Sequence, residues 1–149
     1  MKKLFALICI ITSALFLTDC KKYPEGPGIS FRSKKERIAN TWKLSKYYEN
    51  SVDLTSNFNT AYTKFSFVTT KNGNYTITRE LYSLVNTTES GSWTLSSSKT
   101  TLNLFPATIS VGTVPNTSSW QILKLYENEM WLRNIDSSGK IIEYHLVSA

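Results

Sequence analysis

Residues 62–84 read YTKFSFVTTKNGNYTITRELYSL. Phe65 and Phe67 alternate with polar neighbours, and a second alternating run starts at Tyr75, after Asn72-Gly73. A period of two puts each set of side chains on its own face of an extended strand. Asn-Gly favours a tight type I′ turn, because both central positions there need a positive φ. The stretch is therefore predicted to be a β-hairpin: one strand over 62–69, a second over 75–84, and a turn at 71–74.

Working outward, the same pattern recurs. Residues 41–49 alternate Trp42, Leu44 and Tyr48 with Lys43, Ser45 and Glu49, and the polar, Asn-rich segment 51–60 reads as a loop. Downstream, strands are expected at 90–96, 101–105, 120–126, 129–135 and 140–147. Between them lie turns at 97–99, 127–128 and 136–139 and an irregular stretch at 106–119. Ser and Thr make up about a quarter of the chain and aromatics 13%, a composition suited to pleated strands. Eight strands with mostly short connections pair antiparallel with their neighbours. Eight is also the number at which a meander closes into a small barrel. A two-sheet sandwich stays open on strand count, although most gaps are too short to cross between sheets. Ser33-Lys34-Lys35-Glu36 has capping-box spacing and predicts a short helix over 33–39. The fold class expected is all-β: an eight-stranded antiparallel up-and-down barrel with a short N-terminal helix.

The 149 residues suit one domain, and no apolar run reaches the roughly 18 residues of a spanning helix. The net charge of +6 is concentrated at the front. Residues 38–149 hold nine basic and eight acidic side chains, so the body is nearly neutral and no nucleic-acid partner is expected. Met1-Lys2-Lys3, the apolar run 4–17 and Leu17-Thr18-Asp19-Cys20 resemble a lipoprotein signal peptide, although Asp19 stands where a small residue is usual. That resemblance implies cleavage before Cys20 and an acyl chain on its thiol. Cys9 would leave with the leader, so the mature chain would have no disulfide. Residues 1–19 then form the signal peptide, 20–32 a lipid-anchored linker and 33–149 the barrel. The linker holds two Pro and two Gly in KKYPEGPGIS, residues 21–30, and fully extended would reach about 30 Å. Lys21-Lys22-Tyr23-Pro24-Glu25 lacks an acidic run after the Cys, so the expected location is the outer membrane of a bacterial envelope, facing the periplasm.

Four groups of residues carry a further resemblance. Asn40-Thr41-Trp42-Lys43-Leu44 follows the short helix, and Gly91-Ser92-Trp93-Thr94-Leu95 precedes Leu102-Asn103-Leu104. Trp120–Leu125 precedes Glu129-Met130-Trp131-Leu132, and Glu143-Tyr144-His145-Leu146 ends the pattern. From about residue 38 to 147 the chain resembles the lipocalin-like family of bacterial lipoproteins, among the calycin barrels. That resemblance implies the barrel fold and leaves the ligand unnamed.

Charged positions mark the outer face, so apolar positions opposite them face inward. Strand by strand this predicts an interior built from Trp42, Leu44 and Tyr48, Phe65 and Phe67, Trp93 and Leu95, and Leu102 and Leu104. Leu123 and Leu125, Met130 and Leu132, and Ile142, Tyr144 and Leu146 complete it. Lys46 then falls on the inner face, and Arg79 and Glu80 leave the strand at 75–84 ambiguous. The candidate ligand-binding residues are Tyr48, Phe65, Phe67, Trp93, Leu104, Leu123, Leu132 and Tyr144, with Trp42 closing the floor. An interior this aromatic is either a pocket for a small hydrophobic ligand or a filled core. No catalytic residue is expected: His145 is the only histidine and shows no carboxylate or thiol pairing. No metal cluster, phosphate loop or cofactor motif appears. Two function classes follow. One is a monomeric, membrane-anchored module that binds a small hydrophobic ligand. The other is an interaction or inhibitor module with a filled barrel, meeting a protein partner through its loops.

Overall fold

The structure is a computed structural model and describes Tyr23 and residues 32–149. The expected signal peptide, Cys20 and the linker apart from Tyr23 and Arg32 lie outside the described residues. Ser33 caps α1 (Lys34–Ile38): its Oγ accepts from the Glu36 amide at 3.2 Å, and the Glu36 carboxylate accepts from the Ser33 amide at 3.0 Å. The box satisfies amides that a helix start leaves without intrahelical partners. Those bonds, with the ammonium of Lys71, hold the Glu36 carboxyl down at about 2.

The chain then forms β1 (Thr41–Glu49), β2 (Val52–Asp53), α2 (Thr55–Ala61), β3 (Tyr62–Thr69) and β4 (Asn74–Leu81). It continues through β5 (Val85–Leu95), β6 (Thr101–Ile109), β7 (Ser118–Leu125), β8 (Glu129–Ile135) and β9 (Ile141–Ser148). β3 to β9 pair in sequence order, and β1 bridges β3 and β9. The β1–β9 ladder runs from Trp42↔Ser148 to Glu49↔Ile142. Eight antiparallel strands thus close into a barrel, and β2 is an extra short strand on β1. Closure removes the free edges that a sandwich would have kept.

One end of the barrel, the floor, carries α1, the turns at 70–73, 96–100 and 126–128 and the end of β9. The other end, the mouth, carries α2, the turns at 82–84 and 136–140 and the loop at 110–117. Ile38 and Trp42 are fully buried at the floor, and the Trp42 Nε1 donates to the Ile38 carbonyl at 2.9 Å. Arg37 is buried beside them and donates to the Leu125 carbonyl. Tyr23 packs into the same floor at 2% exposure, donating to the Lys99 carbonyl at 2.6 Å, with the Lys34 ammonium 4.6 Å from its ring centre. A residue read as part of a linker is therefore part of the core. Among the described residues, the core runs from Tyr23 at the floor to Leu146 of β9.

The segment 51–60, expected to be a loop, contains β2 and most of α2. Its only large apolar side chains are Val52, Leu54 and Phe58, too few for a helical period to show. The strand expected at 75–84 ends at Leu81, and the next starts at Val85 rather than at residue 90, because the chain turns at Tyr82 and Ser83, where φ is 48° and 56°. No Gly or Asn marks that turn. β6 runs on through Pro106 to Ile109, and a bulge at Ser90/Gly91 accommodates the proline.

Candidate functional site

Inside the barrel is a cavity of about 60 Å³. Phe65 and Phe67 of β3, Ile77 of β4, Leu104 of β6, Leu132 of β8 and Leu146 of β9 make its apolar wall, and Trp120 of β7 and Tyr144 of β9 add rings. The strand period turns these side chains inward, and closure brings them together from six strands. The rings form one cluster around Tyr144, with Trp120 5.2 Å, Tyr47 5.3 Å, Phe65 6.0 Å and Phe58 6.0 Å away between centroids.

α2 sits at the mouth and plugs it. β1 and β3 pair only through Thr41↔Val68 and Trp42↔Phe67, close to the floor. Above those pairs the two strands diverge, and α2 occupies the widening seam. Its Phe58 is 7% exposed and meets Tyr62 at 4.6 Å, Tyr47 at 5.0 Å and Phe65 at 5.7 Å. Thr55 begins the helix, held by Asp53 Oδ1, which accepts from its amide at 2.9 Å.

Of the eight side chains expected to meet a ligand, Phe65, Phe67, Leu104, Leu132 and Tyr144 lie on the cavity wall. Trp93 is buried in the core but off that wall. Tyr48 points the other way: its ring meets His145 at 5.0 Å, tilted by 51°, on the outer face. A bulge between Leu44 and Lys46 inserts one residue, so Tyr47 takes the inward place and Lys46 leaves the interior. Leu123 is corrected for the same reason. A bulge between Ile122 and Lys124 puts Ile122 in the core cluster with Leu125, and Leu123, although buried, stands apart from it.

Sequence reasoning left Arg79 undecided, and the structure places it on the cavity wall. Its Nη1 lies 3.5 Å from Glu89 Oε2. Glu89 is buried, and its other oxygen accepts from the Tyr75 hydroxyl at 2.7 Å. Burial and that hydrogen bond push the Tyr75 phenol above its ordinary range. Burial also pushes Tyr144 up to about 12, so its hydroxyl keeps its proton at neutral pH.

The sequence showed no histidine–carboxylate pair, but the fold builds one. His145 Nε2 is 2.6 Å from Glu143 Oε1, and Trp131 lies flat on the imidazole at 3.8 Å. Arg133 Nη2 bonds the same carboxylate at 2.9 Å. This is a cross-strand network on the outer wall. Among the described residues, no group of three or more His, Cys, Asp or Glu could hold a metal ion, and no helix is long and apolar enough to cross a membrane. A larger depression of about 620 Å³ lies outside the barrel, where residues 116–119 meet the end of β8. It is open, with Asn116, Ser119, Gln121, Arg133 and Asp136 on its walls, and it does not join the aromatic cavity.

The sequence matches no protein-family model and no curated protein. The fold is similar to that of a lipocalin-like protein from Bacteroides uniformis, with a TM-score of 0.50 and 14% identity, over 76% of this chain and 99% of that one. A second solved structure, an uncharacterized protein from Bacteroides eggerthii, gives a TM-score of 0.48 and 10% identity over 75% of this chain and 99% of that one. A closed antiparallel eight-stranded barrel, entered through a short capped helix and a floor tryptophan, gives this chain a lipocalin-like fold.

Proposed function

We propose that the chain is an envelope lipoprotein, anchored by an acyl chain on Cys20, whose barrel takes one small hydrophobic molecule and performs no chemistry on it. The observation that carries the binding role is the aromatic cavity between Phe65, Leu104, Trp120 and Tyr144. At about 60 Å³ it is well under the roughly 150 Å³ of a dry protein cavity that takes benzene. A ligand with any tail needs more room, and Phe58, which packs on Phe65 and Tyr144 of that wall from the mouth side, is the ring whose displacement would supply it. The lipocalin-like fold supports the reading, since barrel interiors of this size can hold one small molecule. The leader, the Cys20 position and the lysines beside it support the anchor, with the outer membrane, periplasm-facing, as the proposed place.

Native mass spectrometry of the chain purified from its own cells tests the binding role. A bound small molecule, lost in a Leu104→Glu variant that keeps its far-UV dichroism, supports it. An empty barrel that takes up no apolar probe refutes it. Labelling with palmitate tests the anchor: the label should be lost in Cys20→Ser, and a Cys20→Ser chain that still takes label would overturn that assignment.

One observation favours the interaction reading as well. Val52, Tyr82, Leu84, Val111, Val114 and Ile135 are exposed, and all stand around the mouth. Apolar side chains gathered at one end are the kind of surface a protein partner covers. A protein cross-linked to the mouth and lost with Leu84→Asp, together with an empty interior, would make the interaction role the primary one.

A further inference from the structure

Arg79 is a guanidinium facing an otherwise apolar cavity, 26% exposed along its side chain. A charge in such a place is costly unless something uses it. Glu89 engages it only loosely, at one contact of 3.5 Å, outside the 2.7–3.2 Å range of a good N–H···O bond. Glu89 has its own close donor in Tyr75, so the buried carboxylate is held on one side by a phenol and on the other by the edge of the guanidinium. Arg carries five N–H donors in a planar fork, a shape that matches a carboxylate with two parallel bonds. Among the described residues, most of that fork is unspent. Tyr144 stands on the same wall, and its protonated hydroxyl makes no hydrogen bond among the described residues. The Arg79 charge is close enough to Tyr144 to act on the phenol. The two groups thus present donors to one small volume whose other walls are Phe65, Phe67, Leu104 and Leu132.

We propose that this site selects small carboxylates with an apolar tail, the head held by the Arg79 guanidinium and the Tyr144 hydroxyl and the tail lying along Phe65 and Leu132 toward the place of Phe58. The proposal rests on the ligand-binding reading above and deepens it. Tyr75 and Glu89 are positioning residues: they hold Arg79 against the wall from the side away from the ligand. A neutral or cationic molecule of the same shape would leave the fork unpaired, which is the source of the selectivity.

Calorimetric titration of the purified full chain with hexanoate, hexanol and hexylamine tests this. Hexanoate should bind at least 10-fold more tightly than hexanol, and hexylamine should bind weakest. Arg79→Gln should bring hexanoate down to the level of hexanol and leave hexanol unchanged. Arg79→Lys should restore part of the preference, because it keeps the charge and loses the fork. If Arg79→Gln fails to fold with Glu89 left alone, the double variant Arg79→Gln/Glu89→Gln removes both charges and should show the same loss of preference. Binding of hexanoate and hexanol with equal affinity by the wild type, or a preference that survives undiminished in Arg79→Gln or in the double variant, overturns the carboxylate proposal alone. Failure of all three probes to bind overturns the ligand-binding reading together with it.

Discussion

Removing the ring of Phe58 should weaken the protein and strengthen its binding at the same time. Phe58 is 7% exposed and touches four aromatic rings, those of Tyr47, Tyr62, Phe65 and Tyr144. Truncating a buried Phe to Ala costs about 3–5 kcal/mol. The rest of α2 meets the barrel through few bonds, chiefly the Tyr47 amide to Thr55 Oγ1 at 3.0 Å and the Leu54 amide to the Tyr47 carbonyl at 2.9 Å. A helix so lightly held relaxes after truncation, which puts Phe58→Ala at the low end, about 3 kcal/mol. A ligand whose tail needs that space must give up the same contacts on binding. Each 1.4 kcal/mol is tenfold in affinity, so removing the plug can raise the affinity for a long-tailed carboxylate such as decanoate by up to about 100-fold. Urea denaturation followed by tryptophan fluorescence gives the first quantity, and calorimetric titration with decanoate gives the second. A fall in stability with decanoate affinity unchanged or reduced would refute the plug. A stability equal to wild type would refute the docking of α2 itself.

Three further outcomes follow from the packing. Gly91→Ala would put a methyl 2.2 Å from the Phe105 carbonyl oxygen and 2.9 Å from the Pro106 Cα. The obstacle is backbone, so a loss of about 3 kcal/mol and a melting temperature lower by several degrees are expected in a calorimetric scan, and an unshifted scan would contradict the close approach. Tyr23→Ala should cost about 2–4 kcal/mol, from the lost ring burial and the lost bond to Lys99, and should speed amide exchange in the turn at 96–100; unchanged exchange would count against a docked Tyr23. Glu36 is held near 2, below its ordinary value of 4.5, so its contribution is present above that ordinary value and fades as the pH falls toward 2. The melting difference between wild type and Glu36→Ala should therefore shrink across that window, and a difference constant from pH 7 to pH 2.5 would contradict the capping role.

Where local chemistry decides the conformation, the chain is easy to read. Asn72-Gly73 and Asp136–Gly139 turn where expected, although of the first pair only Gly73 takes a positive φ, so that turn is not type I′. Ser33 and Glu36 cap their helix, and the alternation in β3, β8 and β9 puts Phe65, Leu132 and Tyr144 inside. What escaped comes from single-residue insertions and from contacts distant in sequence. A bulge leaves alternation intact on both sides and only flips its phase, so Tyr48 and Leu123 were aimed the wrong way. Lys46 was the available sign, since an inward lysine is too costly to stand. Nothing comparable marked the bulge beside Leu123. Arg79 could not be placed because its reason for facing inward is Glu89, on the next strand. Phe58 was hidden because α2 has one deeply buried side chain and owes its helix to the seam it fills.

Tyr23 changes the geometry of any mooring. Cys20 is three residues before it, and three extended residues span at most about 10 Å. An acyl chain on Cys20 would then leave the barrel almost no leash: it would sit floor-down on the bilayer rather than swing on a 30 Å arm. Eight strand residues rise about 26 Å along the strand, or about 20 Å once tilted as barrel strands are. The mouth, with Phe58 across it, would open that far from the lipid, on the side away from the membrane. A guest of this barrel would arrive through water, delivered from solution or from another protein, and not by lateral diffusion out of the leaflet that holds the anchor.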